Sequence, residues 1–149
     1  MKYLLLFLLI SSQAFAQSAV QQTIKKSIVV NKKALYADAL KKKSFIFYLG
    51  LRVNEKGQVD SVFHSNSDLF STKITDVNTM VKKLKREKTA FKAYKDQVLI
   101  TLIHLKRADD NTLQLSADFS EAFKSATAYA SEQIKNSKVT YIDASLIVM

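Results

Sequence analysis

The chain has 149 residues, a formal net charge of +10, no cysteine, no proline and two glycines, Gly50 and Gly57. Disulfides and thiolate metal centres are therefore excluded, and two glycines cannot build a glycine-rich phosphate loop. The positive excess favours polyanionic partners: anionic lipid, lipopolysaccharide, acidic polymer or nucleic acid.

The first sixteen residues have the layout of a secretory signal peptide. Lys2 supplies a positive charge, Leu4 to Ile10 is an unbroken apolar run, and Ala14-Phe15-Ala16 gives the small-x-small pattern before Gln17. A retained anchor needs roughly 20 apolar residues, and Ser12 and Gln13 interrupt this run. No cysteine is present to carry a lipid. Removal of residues 1–16 leaves residues 17–149 as a single domain of ordinary size, with 22 Lys and Arg against 13 Asp and Glu, a formal +9. Export to the periplasm or beyond is expected, which sets cytoplasmic nucleic acid aside as a partner. No later segment is long and apolar enough to span a membrane.

Residues 17–43 read as mostly helical. Val20, Ile24 and Ile28 fall four apart, and Leu35, Tyr36, Ala39 and Leu40 continue the apolar pattern after a break near Asn31. Residues 27–30 also suit a short extended piece. Residues 44–54 alternate as a strand, with Phe45, Phe47, Leu49, Leu51 and Val53 on its apolar side. A turn at 54–57, closed by Gly57, returns the chain into a strand over 58–65 through Val59, Val62 and Phe63. After a polar connection over 65–71, Ser71 or Thr72 is placed to cap a helix over 73–88. Its stripe is Ile74, Val77, Met80, Val81 and Leu84. Residues 98–105 form a nearly continuous apolar strand, and 108–112 a polar turn. Asp118 with Glu121 resembles a capping box and opens a helix with Phe119, Ala122, Phe123, Ala126, Ala130 and Ile134 on one face. Residues 139–149 form a last strand with Ile142, Ala144, Leu146 and Val148 on one side. The expected fold is α+β: a mostly antiparallel sheet of three to four strands with two to three helices packed on it.

Motifs that dictate a reaction are absent, and no enzymatic activity or cofactor is expected. His64 and His104 stand far apart with no carboxylate at metal-ligand spacing, so no metal site is assigned. His104, inside an apolar strand, reads as a satisfied structural residue, and His64 as exposed. His64, Ser65 and Asp68 lack the strained turn of a nucleophile, and Asp109-Asp110 reads as a solvated turn rather than an acid pair. Tyr48, Tyr94, Tyr129 and Tyr141 fit a pocket lining less well than core and interface packing. The concentrated surface feature is Lys82, Lys83, Lys85, Arg86 and Lys88 on the outer side of the 73–88 helix, joined by Lys41, Lys42 and Lys43 if the fold brings them together. These residues form either a binding patch or the solvated face of an amphipathic helix.

Over residues 36–107 the chain resembles the C-terminal domain of TonB-type periplasmic energy transducers. Tyr36 and Ala39 fall in the lead-in to the first strand. Val53, Gly57, Val59 and Val62 match the family's hairpin pattern, and Ile74, Val77, Met80 and Val81 lie where its main helix lies. Phe91-Lys92-Ala93 stands where the family has a Phe-x-Pro-Ala element. The resemblance implies a sheet edge that pairs with an extended segment of a membrane protein. Energy transduction is not expected, because the chain lacks a proline-rich spacer and its apolar leader reads as cleavable. The added helix and strand after residue 111 leave open whether the last strand covers that edge. The leading expectation is a non-enzymatic periplasmic or envelope adaptor that binds an envelope or outer-membrane protein by sheet-edge pairing. The alternative is a secreted basic protein that binds an anionic surface or polymer.

Overall fold

Strict alternation of apolar residues lays down the central strand β1, Lys43–Val53. Phe45, Phe47, Leu49, Leu51 and Val53 all face one core and are at most 6 % exposed. The structure, a computed structural model, describes residues 16–41, 43–64, 73–109, 114–115 and 137–149. At the end of β1 the Asn54 side chain accepts from the N–H groups of Lys56 and Gln58. Gly57 then turns the chain at φ +74°, a left-handed conformation that costs glycine little. The chain returns as β2, Val59–His64, antiparallel to β1. On its other side β1 pairs antiparallel with β3, Gln97–Lys106, from Phe45↔Leu105 to Val53↔Gln97.

Three helices pack on the face that carries the odd-numbered residues of β1. Helix α1 covers 16–27 and buries Val20 and Ile24 completely. The chain then runs extended, and Val30 bridges Thr75. The short α2, Lys32–Leu35, is capped by the Asn31 side chain and buries Leu35. Tyr36 departs from the predicted apolar stripe: it is 41 % exposed, its hydroxyl donating to the Met149 carbonyl at 2.5 Å. Helix α3, Val77–Arg86, starts about one turn later than predicted because residues 74–76 are engaged with 29–31. Its cap is Asp76, which accepts from the Thr79 N–H; Ser71 and Thr72 lie outside the described residues. Met80 and Leu84 of α3, together with Ile74 and Phe91, complete the core against Leu49, Leu51, Leu99, Ile103 and Leu105.

The predicted last strand is two strands. β5, Lys138–Tyr141, and β6, Ser145–Val148, follow one another along the free side of β3, both parallel to it. Tyr141 pairs with Ile100 and Ser145 with Ile103, so three residues on the outer strand oppose two on β3. This extra residue is a bulge, and it reverses which side chains face the core. Ile142 is buried before the step; after it Ser145 is buried, Ile147 and Met149 reach the core, and Leu146 and Val148 are exposed. The expectation that Ile142, Ala144, Leu146 and Val148 share one face is thereby corrected. A two-residue strand not expected from the sequence, β4 (Gln114–Leu115), pairs parallel with Lys43 and Ser44. The fold is α+β with a mostly antiparallel sheet, in the order β2-β1-β3-β5. The predicted helix from Asp118 to Ile134 lies outside the described residues.

The opposite sheet face holds a second buried cluster of Tyr48, Phe63, Val98 and Ile100. Gly50 makes it possible. The Phe63 ring lies across the Gly50 Cα where a Cβ would sit, 1.9 Å from Phe63 Cε2.

Candidate binding surfaces

The outer strand carries three of the four large apolar residues that are exposed among the described ones: Tyr141 at 73 %, Leu146 at 49 % and Val148 at 47 %. All three alternate with Ile142, Ile147 and Met149, which reach the helix-side core, and so lie on the other face of the sheet. The Met149 N–H donates to the Lys106 carbonyl, and the Met149 carbonyl accepts from the Ala108 N–H. Residues of a parallel strand alternate between turning both main-chain groups toward the neighbour and turning both away. Counting back from Met149, Leu146 and Val148 direct theirs away from β3. The Ile142 N–H donates to the Ile100 carbonyl, which by the same alternation turns Tyr141 outward. No strand pairs with this outer side among the described residues.

The bulge between the two halves is held from two directions. Thr101 Oγ1 donates to the Asp143 carbonyl at 3.0 Å, and Gln21 Nε2 on α1 donates to the Ala144 carbonyl at 3.0 Å. At the end of β6, Arg107 stacks over the Tyr36 ring at 4.8 Å and forks onto Asp109 through two 3.1 Å bonds. That guanidinium holds the Asp109 carboxyl below its usual range. Asp109 is exposed in a turn, as expected, and is also the ion-pair partner of Arg107; Asp110 lies outside the described residues.

The histidines differ from expectation. His104 is half-buried, and its Nε2 has no hydrogen-bond partner among the described residues, so it is not the satisfied residue expected. Burial, and secondarily the Lys106 charge, lowers its pKa and keeps the ring neutral. His64 is half-buried at the end of β2 rather than exposed. Ser65 and Asp68 lie outside the described residues. Tyr48 is buried, and desolvation with the nearby Tyr141 raises its pKa to about 12. Tyr94 lines a cleft of about 390 Å³ with Ala16, Gln17, Ala93, Gln97, Lys138 and Thr140; Tyr129 lies outside the described residues. That lining offers one cation and amide and hydroxyl groups, but no carboxylate or imidazole to exchange a proton with a substrate. No group of side chains among the described residues is suited to hold a metal ion.

Lys82, Lys83, Lys85, Arg86 and Lys88 are all exposed, on and just beyond α3. Met80 and Leu84 point inward, so the helical period turns these cations away from the sheet. Lys41 is exposed as well; Lys42 and the side chain of Lys43 lie outside the described residues. Patterning alone places the α3 cations, whereas the exposure of Leu146 and Val148 on the outer strand is not legible from a simple alternation, because the bulge interrupts it. No described helix is long and apolar enough to cross a membrane. No protein-family model, no curated protein and no solved structure matches the chain.

Proposed function

We propose that the protein is an exported, non-enzymatic binding module that takes up an extended segment of an envelope protein by strand addition at β6. The observation that carries this reading is the outer strand itself. Leu146 and Val148 combine exposed apolar side chains with main-chain groups turned outward, in a four-residue stretch free of charge. Edge strands are usually guarded by charges or bulges. Here the bulge lies between β5 and β6 and leaves β6 in unbroken register with β3. Main-chain bonds would supply affinity and alternate side chains a register. The opposite edge is less suited: β2 exposes Asp60 and Ser61 and no large apolar residue.

The resemblance to TonB-type C-terminal domains supports the same mode of binding and moves its position. The edge of β3 is occupied by this chain's own residues 138–148, so a partner strand would add one place further out.

Val148→Pro tests the reading, because proline there removes an outward N–H and leaves the bonds to β3 in place. Immobilised wild-type protein is expected to retain one discrete membrane protein from a detergent-solubilised envelope extract at high salt. The variant should lose it while its melting temperature stays within a few degrees. Equal retention by both, or no discrete protein at high salt, would refute the proposal. If the chain sediments as a dimer that Val148→Pro dissociates, the strand acceptor is a second copy and the envelope partner is wrong.

A further inference from the structure

Excluding residues 1–16, the whole formal excess of +9 belongs to two stretches of chain. Residues 17–41 and 73–96 hold thirteen Lys and Arg against four Asp and Glu, whereas residues 42–72 and 97–149 hold nine of each. The fold brings the two basic stretches together. They are joined by the Val30–Thr75 bridge, with the Asn31 N–H donating to the Ile74 carbonyl and the Asp76 N–H to the Val29 carbonyl. Together they form the helical layer over one face of the sheet, because Ile24 of α1, Leu35 of α2 and Leu84 of α3 are buried in the same core.

All thirteen cations are exposed, and none forms an ion pair among the described residues. Two of the four carboxylates are already engaged with backbone. Asp76 accepts from the N–H and hydroxyl of Thr79, and Glu87 from the N–H and hydroxyl of Thr89 and the N–H of Ala90. The layer therefore presents an almost single-signed surface, while the rest of the chain is formally neutral.

The type of cation narrows the partner. Twelve of the thirteen are lysines, which act as hydrated point charges rather than as the planar forks that grip individual phosphates. Single-stranded nucleic acid would call for exposed aromatic faces beside the cations. The one large exposed aromatic of the layer, Tyr36, has its hydroxyl on Met149 and its ring under Arg107. No exposed large apolar residue stands on α1 or α3 among the described residues, so the layer has no wedge for insertion into hydrocarbon. A dispersed lysine field without stacking or insertion groups matches a plane of anionic headgroups, to which each surface cation adds a modest attraction.

We propose that the helical layer is a reversible electrostatic docking face for a bilayer rich in anionic phospholipid. This inference is independent of strand addition at β6, which lies at the rim of the sheet and not on its helical face. The test is co-sedimentation of the full chain with phosphatidylcholine vesicles and with vesicles in which roughly one third of the lipid is phosphatidylglycerol. Two variants with the same change in net charge are compared: Lys82→Glu with Lys85→Glu on the layer, and Arg52→Glu with Lys106→Glu, which alternate with the core residues of β1 and β3 and so lie on the sheet face away from the helices. The wild-type chain is expected to bind the anionic vesicles at least about tenfold better than the neutral ones, with the difference lost at high salt. The α3 variant should lose about tenfold or more, and the control variant only a small part of that. Equal losses in both variants would show that net charge rather than this layer is responsible, and would overturn the assignment. So would equal binding to both vesicles, the result expected of the apolar leader alone. Tighter binding to soluble single-stranded DNA or polyphosphate than to vesicles at the same salt would assign the layer to a polymer and overturn it too.

Discussion

Gly50 and Phe63 form a directly opposed pair on β1 and β2, and Gly50→Ala isolates what the missing side chain does. A Cβ at Gly50 would meet Phe63 at 1.9, 2.3 and 2.6 Å, far inside van der Waals contact with three ring atoms. The ring has to leave. Phe63 is 5 % exposed and lies 6.2 Å from the Tyr48 ring, centroid to centroid. Giving up its seat forfeits part of the roughly 1.5–3 kcal/mol that burying such a side chain supplies, and overpacking costs about 1–3 kcal/mol. Gly50→Ala is therefore expected to destabilise the fold by about 2 kcal/mol. Phe63→Ala alone should cost about 3–5 kcal/mol. In that background the new methyl group has room, and replacing a strand glycine by alanine is favourable by roughly 0.5–1 kcal/mol. The coupling between the two positions is then about 2.5–3 kcal/mol, near the upper end for residues in contact. Urea unfolding of the four chains measures it directly. If Gly50→Ala costs the same with and without the Phe63 ring, the steric account is wrong and the glycine is present for another reason.

Two further predictions follow from the outer strand and its surroundings. Tyr48 keeps its proton to about pH 12 in the folded chain, whereas an unfolded tyrosine releases it near pH 10. Unfolding therefore releases a proton between these values, so stability is intact below about 10 and falls as pH rises toward 12. Tyr48→Phe should remove that part of the decline in denaturation midpoints measured from pH 9 to 12; superimposable curves would rule the account out. Gln21→Ala removes the α1 donor from the bulge carbonyls and should cost about 1 kcal/mol. Amide exchange across β6 should quicken with it, while unchanged exchange would mean that Thr101 and Ile142 hold the bulge unaided.

Local pattern was enough for the central hairpin. Five apolar residues at alternate positions from Phe45 to Val53 can be buried together only in an extended chain, and Gly57 supplies the conformation that the return requires. The inward stripe of Met80 and Leu84, and with it the outward cations of α3, follows from the helical period in the same way. Where α3 begins does not: Asp76 became the cap because residues 74–76 were drawn into hydrogen bonds with 29–31, a contact between distant parts of the chain. The outer strand illustrates the limit most clearly. Its apolar residues are visible in the sequence, but which of them face the core depends on one extra residue opposite Thr101 and Leu102, and only pairing with β3 defines that residue as a bulge. Charge behaves likewise. The amino-acid sequence determines how many lysines there are and which lie on helices. Only the joining of residues 17–41 to 73–96 on one side of the sheet turns a net charge into a basic face, because a surface field depends on which charges are neighbours in space.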